Sequence, residues 1–216
     1  MSNTYAIPNG RTVFNATTFA GNSVGTQTIT NADLGTTGFK PDLVWNKTRA
    51  TTDNHYLVDS VRGVANYVES NASAAEASAS QFITSLNSNG VSYGTSGYNA
   101  SQTSNVAWQW QAGAGTTSTN TNGSITSTVS VNATAGFSIV TYTGNGTSGA
   151  TVGHGLGVAP SMMIVKIRNQ DGYTWTVYHT SLGPTQYIYL NNTQGANPSA
   201  IFWNNTAPTS TVFTIG

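Results

Sequence analysis

The sequence predicts an all-β protein made of antiparallel β-sandwiches, in which one β unit occurs twice. Three observations lead to this prediction: frequent hairpin-turn signals, alternation of side-chain character within short segments, and an internal repeat. The turn signals are Asn-Gly and Asp-Gly pairs, which favour the positive φ angles of tight hairpins. They occur at residues 9–10, 89–90, 122–123, 145–146 and 171–172.

Predicted strands are clearest in LVWNKTR, residues 43–49, and VAWQWQA, residues 106–112. Because strand side chains alternate between two faces, every second residue of such a segment shares a face. In the first segment, one face carries Leu43, Trp45, Lys47 and Arg49. The best helix candidate is the Ala-rich stretch 70–86, which has no clear apolar stripe and is alternatively an irregular loop.

The internal repeat appears when GFKPDLVWNKTR, residues 38–49, is aligned with GVAPSMMIVKIR, residues 157–168. The alignment sets Pro41 against Pro160 and extends in both directions. HYLVDSVRG (55–63) matches WTVYHTSLG (175–183), and FITSLNSNGVSYG (82–94) matches IFWNNTAPTSTVFTIG (201–216). A repeated series of this length indicates a duplicated structural unit.

These matches divide the chain into four segments. Residues 1–13 form an N-terminal arm, 14–112 the first β repeat, 113–136 a Ser/Thr/Gly-rich linker or strand pair, and 137–216 the second β repeat. The second repeat lacks a counterpart of VAWQWQA. Three explanations remain open: the chain is a fragment of a longer one, an N-terminal strand fills the place, or a neighbouring protomer donates a strand. An open sheet edge is normally covered, so we expect the place to be filled.

Composition excludes several function classes. Only 6% of residues are charged and the formal net charge is zero, so there is no electrostatic footprint for nucleic acid. Cysteine is absent, which removes disulfides and thiolate chemistry. No apolar run approaches the length of a membrane span, and the N-terminus lacks the apolar core of a signal peptide. We expect synthesis in the cytoplasm and no membrane insertion.

Four basic residues occupy matching points of the two repeats: Lys47, Arg49, Lys166 and Arg168. They could form a groove for an acidic glycan or another carboxylate. We favour a structural role at strand ends, where they would bind carboxylates or turn carbonyls, because duplication of a unit also duplicates its structural contacts.

Aromatic residues are the other binding candidates. Several tryptophans and tyrosines could stack on sugar rings: Trp45, Trp108, Trp110, Trp175, Trp203, Tyr173, Tyr178, Tyr187 and Tyr189. Tyr173, Trp175 and Trp203 are the glycan-binding candidates, although packing in the core or at an interface is the favoured interpretation. The histidines at 55, 154 and 179 lack metal-ligand spacing, and the few carboxylates form no evident catalytic pair. The sequence therefore predicts no catalytic residues, no metal and no cofactor.

The ordered series of GFKPDLVW, DSVRG, VAWQWQAG, YHTSLGP and FWNNTAPTSTVFTIG motifs resembles a family of uncharacterised tandem repeat domains, and the resemblance covers most of the chain, from about residue 14 to residue 216. These domains occur in structural proteins of tailed phages, many of them marine and cyanobacterial phages. The resemblance implies a β-sandwich similar in shape to legume lectins and laminin G, carried on the virion surface. It implies no catalytic residues.

The function expected on this basis is a non-enzymatic virion surface protein. A tail fibre, spike or other receptor-contacting adhesion module comes first, a capsid decoration or cement protein second, and a glycan depolymerase third. The expected partners are further copies of the chain, for example in a trimer, other virion proteins, and host-surface glycan.

Overall fold

In the computed structural model, residues 7, 9–33, 35–100 and 104–216 can be described. They form eighteen strands and two 3-10 helices of three residues each, Gly10–Thr12 and Gly97–Asn99. Every pair of strands is antiparallel, which confirms the all-β, sandwich-type prediction. The Ala-rich stretch 70–86, for which the sequence offered a helix or an irregular loop, contains no helix: it is irregular apart from short strands at 77–78 and from residue 83 onward. None of the helices within the described ranges could cross a membrane.

The chain divides into two compact units. Unit 1 contains residues 1–69 and 76–116, and unit 2 contains residues 70–75 and 117–216. Residues 70–75 therefore leave the first repeat and join the second unit, where the amide of Gly172 donates to the carbonyl of Ser73 at 3.0 Å.

Unit 1 is a sandwich of a six-stranded sheet and a three-stranded sheet. The six-stranded sheet has the order β1-β9-β3-β4-β5-β6 and the three-stranded sheet the order β2-β8-β7. The strands are β1 (Phe14–Ala20), β2 (Gln27–Thr30), β3 (Leu43–Thr48), β4 (Tyr56–Asp59), β5 (Asn66–Glu69), β6 (Ala77–Ser78), β7 (Ile83–Asn87), β8 (Gly90–Tyr93) and β9 (Ser104–Trp110).

The unit 1 core combines an apolar cluster with buried amides. Val44 and Ala107 of the larger sheet pack in one cluster with Ile83 and Val91 of the smaller sheet. Gln109 is completely buried, and its Oε1 accepts a hydrogen bond from the Asn31 Nδ2 at 3.1 Å. Buried amides that find partners cost little, so an Asn-rich chain can use them as core residues.

Unit 2 contains three smaller sheets, with the orders β10-β11-β12, β13-β18 and β14-β15-β16-β17. Its strands are β10 (Ser118–Asn120), β11 (Ser127–Asn132), β12 (Phe137–Tyr142), β13 (Thr151–Gly153), β14 (Met162–Val165), β15 (Thr176–His179), β16 (Gln186–Tyr189), β17 (Asn197–Pro198) and β18 (Val212–Thr214). Thus β10 and β11 lie within the predicted linker or strand pair. The apolar core is centred on Ile125, Val152 and Phe213.

The two units share one pattern of strand pairing. In unit 1, Leu43 of β3 pairs with Asp59 of β4, and in unit 2 Met162 of β14 pairs with His179 of β15. Farther along, Tyr67 pairs with Ala77, and Tyr187 pairs with Asn197. The offset between the units is 119 to 120 residues throughout these strands, so the sequence repeat is also a repeat of β-sheet register.

The units differ in the strand that flanks the repeated sheet. In unit 1, β9 lies between β1 and β3 and pairs with both. In unit 2, β14 pairs with β15, and no other described strand pairs with β14. The sequence offered an N-terminal strand as one way to fill this place, and residues 1–6 and 8 of the N-terminal arm 1–13 lie outside the described residues.

Candidate functional site

The outer face of β1, β9 and β3 in unit 1 is the best candidate for a ligand-binding surface. Strand register aligns its side chains in rows across the three strands. One end of the face is aromatic and the other end is polar and cationic. From the aromatic end, the rows are Phe14, Trp110 and Leu43; Ala16, Trp108 and Trp45; and Thr18, Val106 and Lys47.

A shallow depression of about 560 Å³ lies at the polar end of this face. Trp108 and Val106 contribute its apolar wall, while hydroxyls and cations contribute the rest. The lining residues are Thr18, Lys47, Thr48, Arg49, Thr51, Val106 and Trp108. The depression therefore offers an aromatic ring, several hydroxyls and two positive charges within one open surface.

Trp108 is held by its neighbours on the sheet. It meets Trp45 edge to face, with ring centroids 6.1 Å apart and an interplanar angle of 70°. Such T-shaped pairs are favourable and fix ring orientation. Trp108 is half-buried, so the ring is anchored by the sheet and still contributes to the wall of the depression.

The two cations bind neutral groups of the protein. The Lys47 Nζ donates to the carbonyl oxygens of Thr48 and Thr51, each at 2.7 Å. The Arg49 Nη1 donates to the Ser104 Oγ at 3.1 Å. Within the described ranges, neither cation forms a salt bridge with a carboxylate. Among the residues that the structure describes, no ion pair therefore neutralises their positive charge.

The positive charge of Lys47 also affects a neighbouring histidine. Burial and then the charge of Lys47 lower the pKa of His55. The loop after β3 also holds one carboxylate, Asp53, which accepts a hydrogen bond from the Thr51 Oγ1 at 2.5 Å. An anionic ligand group could bind at the Arg49 side, where the guanidinium has donors beyond the one used by Ser104.

The matching cations of unit 2 have a similar local contact. The Lys166 Nζ donates to the carbonyl of Ile167 at 2.8 Å, as Lys47 does to Thr48. Arg168 is half-buried. Lys47 and Lys166 thus each donate to the carbonyl of the following residue. No described strand of unit 2 supplies an equivalent of Trp108 beside Lys166.

Of the three aromatic residues that the sequence offered as glycan-binding candidates, two are buried and one is exposed. Trp175 is 5% exposed and Trp203 is 2% exposed, so neither indole face is open to a sugar. Trp203 packs edge to face against Tyr178 at 5.8 Å. Tyr173 is 45% exposed. Burial thus supports the packing interpretation for the two tryptophans and leaves Tyr173 accessible.

The sequence offered Trp108 and Trp110 among the aromatic residues that could stack on sugar rings, but it favoured packing for both and did not choose either as a glycan-binding candidate. In the structure, the inner face of β9 carries the buried Asn105, Ala107 and Gln109, while Trp108 and Trp110 are half-buried on the outer face. The sequence was sufficient to predict that the side chains of β9 alternate between two faces. Which of its faces lies inward depends on amide partners such as Asn31, which no local pattern reveals.

Unit 1 also contains a charged cluster with a structural role. Arg62 donates to the carboxylates of Asp59 and Glu76, the latter at 2.9 Å, and to the carbonyl of Leu57. The Arg62 side chain is only 5% exposed. In the described part of the chain, no group of three or more His, Asp or Glu side chains is arranged to bind a metal.

A family model described as a domain of unknown function, DUF7483, matches residues 10–216. No curated protein and no solved structure matches the chain. Since the model covers nearly the whole sequence, the chain belongs to the DUF7483 family.

Proposed function

We propose that this DUF7483 protein is a non-enzymatic surface module of a phage virion that contacts acidic glycan through the outer face of unit 1. The observation that carries the proposal is the depression in which Trp108 lies with Lys47 and Arg49. Only 6% of the residues are charged, so two cations without salt bridges on one face are a distinctive feature of this surface.

The chemistry of the face suits a sugar with an anionic substituent. The face of an aromatic ring carries partial negative charge and attracts the C–H groups of a pyranose ring. Arg49 can bind a carboxylate or sulfate by charge-assisted hydrogen bonds. The hydroxyls of Thr18 and Thr51 can exchange hydrogen bonds with sugar hydroxyls. Together these groups favour an acidic polysaccharide over a neutral one.

The position on a virion is proposed from the resemblance of the motif series to tandem repeat domains of tailed-phage structural proteins. A protein on the outside of a particle needs a hydrophilic surface, and the hydroxyls and amides of this chain provide such a surface with little charge. A receptor-contacting fibre or spike fits the glycan site. A capsid decoration protein is the second candidate, because the exposed apolar edge of β14 favours assembly with a neighbour.

The test is titration calorimetry of the 216-residue chain with polygalacturonate, using neutral dextran as the comparison. We expect saturable binding of the acidic polymer alone. Trp108→Ala and Arg49→Gln should each weaken it roughly tenfold, since an aromatic or a charge-assisted contact is worth about 1 to 2 kcal/mol. Arg168→Gln, the matching position in unit 2, is the control and should leave binding unchanged.

Two results would oppose the proposal. One is the absence of binding to polygalacturonate and to other uronic or sulfated polymers. The other is equal weakening by Arg49→Gln and Arg168→Gln, which would indicate non-specific charge. A reducing-end assay on the same mixtures separates binding from depolymerase activity, and mass spectrometry of purified particles tests the virion location.

A further inference from the structure

β14 in unit 2 has an exposed apolar edge. Met162 is 51% exposed and Ile164 is 40% exposed. Their counterparts in unit 1, Leu43 and Trp45, are both half-buried where β9 pairs with β3. The same strand position thus has a lower exposure when a flanking strand is present.

The backbone of β14 also has bonding capacity at this edge. The amide of Thr180 donates to the carbonyl of Ser161 at 2.9 Å, which turns the backbone groups of Ser161 toward the β15 side. Because ladder bonds alternate along an antiparallel strand, the N–H and C=O groups of Met162 and Ile164 point to the opposite side. No described strand pairs with β14 there.

β14 itself lacks the usual protection of an edge strand. Natural edges are blunted by lysine, proline, bulges or covering segments. The four residues of β14, Met162–Val165, are all apolar and pair with β15 without a register shift. The nearest protective residues are Pro160 and Lys166, just outside the strand. A flat apolar edge of this kind favours addition of another strand.

The edge is complementary to itself. Strand pairing around a two-fold axis at Met163 places Met162 of one copy opposite Ile164 of the other, twice. Opposed residues of an antiparallel pair share one face, so both exposed apolar side chains gain an apolar neighbour. The same register joins the outward backbone groups of Met162 to those of Ile164. Such isologous contacts are the commonest basis of homo-oligomers.

We propose that β14 pairs antiparallel with β14 of a second copy of this chain, centred on Met163, and so joins the two sheets into one. This inference does not rest on the proposed glycan site. The occupant is a second copy rather than a β9-like strand because of the residue before the strand. In unit 1, the loop after β9 binds the carboxylate of Asp42, through the amides of Ala112 and Gly115 among others.

The equivalent residue in unit 2 is Ser161, which has no carboxylate to bind such a loop. A β9-like strand with its loop would therefore lose that anchor, whereas a second β14 requires none. The contact is short, about five residues from each copy, so we expect weak association in dilute solution. Many copies on one particle would strengthen it through high local concentration.

The test is sedimentation velocity of the full chain over a wide concentration range. The wild-type protein should form a reversible dimer. Ile164→Lys should raise the dimer dissociation constant at least about tenfold, because a charged side chain protects an edge. Ile201→Lys is the matched control, since Ile201 is 73% exposed and follows β17, the strand at the opposite end of the sheet from β14, and it should leave the dimer unchanged.

Cysteine cross-linking tests the register, and the chain contains no cysteine of its own. In the proposed register, the double variant Met162→Cys/Ile164→Cys brings each new thiol opposite one in the other copy and should form a disulfide-linked dimer. The single variant Met162→Cys should not, because its two thiols would lie on Cα atoms roughly 8 Å apart. A wild-type monomer at every concentration overturns the proposal. So does a dimer that is insensitive to Ile164→Lys, or one that the double variant does not cross-link.

Discussion

β3 of unit 1 and β14 of unit 2 make the same contact on one side and different contacts on the other. Both pair with the next strand in the same register. Val44 of β3 is completely buried, whereas the equivalent Met163 of β14 is half-buried. β9, which pairs with β3 along six residues, and the smaller sheet, whose Ile83 and Val91 pack with Val44, together bury this position. Burial of a β-strand is thus decided by its neighbours as much as by its own residues.

The same flanking strand creates the candidate binding face. Trp108 and Val106 reach the depression from β9, and Lys47 reaches it from β3. In unit 2, Lys166 retains a backbone contact like that of Lys47, but no described strand supplies the aromatic wall. We infer that duplication copied the structural contact, whereas the proposed binding site is confined to the unit with the flanking strand.

The units also differ in a buried turn after the second strand of the repeat. In unit 1, the Asp59 Oδ1 accepts from the amides of Val61 and Arg62, and the Arg62 guanidinium binds Asp59 and Glu76. In unit 2, the His179 Nδ1 accepts from the amide of Ser181 at 3.2 Å. The positions of Arg62 and Glu76 are taken by Leu182 and Ala196.

The largest stability effect is expected from breaking this ion cluster alone. Arg62→Leu leaves two carboxylates without their guanidinium, one of them buried, and should lower the free energy of unfolding by about 3 to 5 kcal/mol. The triple variant Asp59→His/Arg62→Leu/Glu76→Ala copies the residues of unit 2 and should lose much less, because no unpaired charge remains. Urea unfolding followed by tryptophan fluorescence measures both.

Equal losses in the single and triple variants would show that the charged cluster is a net source of stability in unit 1. Leu182→Ala in unit 2 provides a control for the loss of side-chain packing at this turn. Equal losses would reject the hypothesis that the residues of unit 2 can replace the ion cluster of unit 1 at little cost in stability.

A smaller, pH-dependent effect on the free energy of unfolding is expected at the residue that follows a short strand in each unit, just before the repeated apolar segment. Unit 1 has the buried Asn31 after β2, and unit 2 has the buried His154 after β13. The His154 Nε2 contacts the Thr209 carbonyl at 3.2 Å, and its Nδ1 accepts from the amide of Leu156 at 3.2 Å. This arrangement requires a neutral imidazole with Nε2 protonated.

Burial lowers the pKa of His154 below its ordinary value of 6.5. The unfolded chain therefore takes up a proton first as the pH falls. The stability contributed by neutral His154 is complete above pH 6.5 and is lost below it, down to the folded-state pKa, at no more than about 1.4 kcal/mol per pH unit. His154→Asn should flatten this dependence between pH 7.5 and 5. An unchanged slope would assign acid sensitivity to other groups, including His55.

Much of the fold could be predicted from the sequence. The alternation in residues 43–49, the strand at VAWQWQA and the all-β class were all confirmed, because hydrophobic period and turn residues act locally. The helix candidate in the Ala-rich stretch 70–86 was wrong, since its residues favour helix but the stretch is irregular apart from β6 and part of β7. Tertiary pairing with β5 and β8 overrides that propensity.

The candidate site was less accessible to sequence reasoning. Lys47 and Arg49 were recognisable from the repeat, but their proximity to Trp108 depends on pairing between strands that lie about sixty residues apart. The burial of Trp175 and Trp203 depends likewise on contacts from elsewhere in unit 2. Local pattern specifies which residues share a strand face, and long-range pairing decides what that face meets.

Hydrogen exchange of single amides tests the central difference between β3 and β14 most directly. The backbone of Trp45 faces β9, so its amide should be protected at every protein concentration. The amide of Ile164 should exchange rapidly in dilute protein and become protected as the concentration rises and β14 pairs with a second copy. Protection of Ile164 at all dilutions, or its absence at all concentrations, would contradict the account.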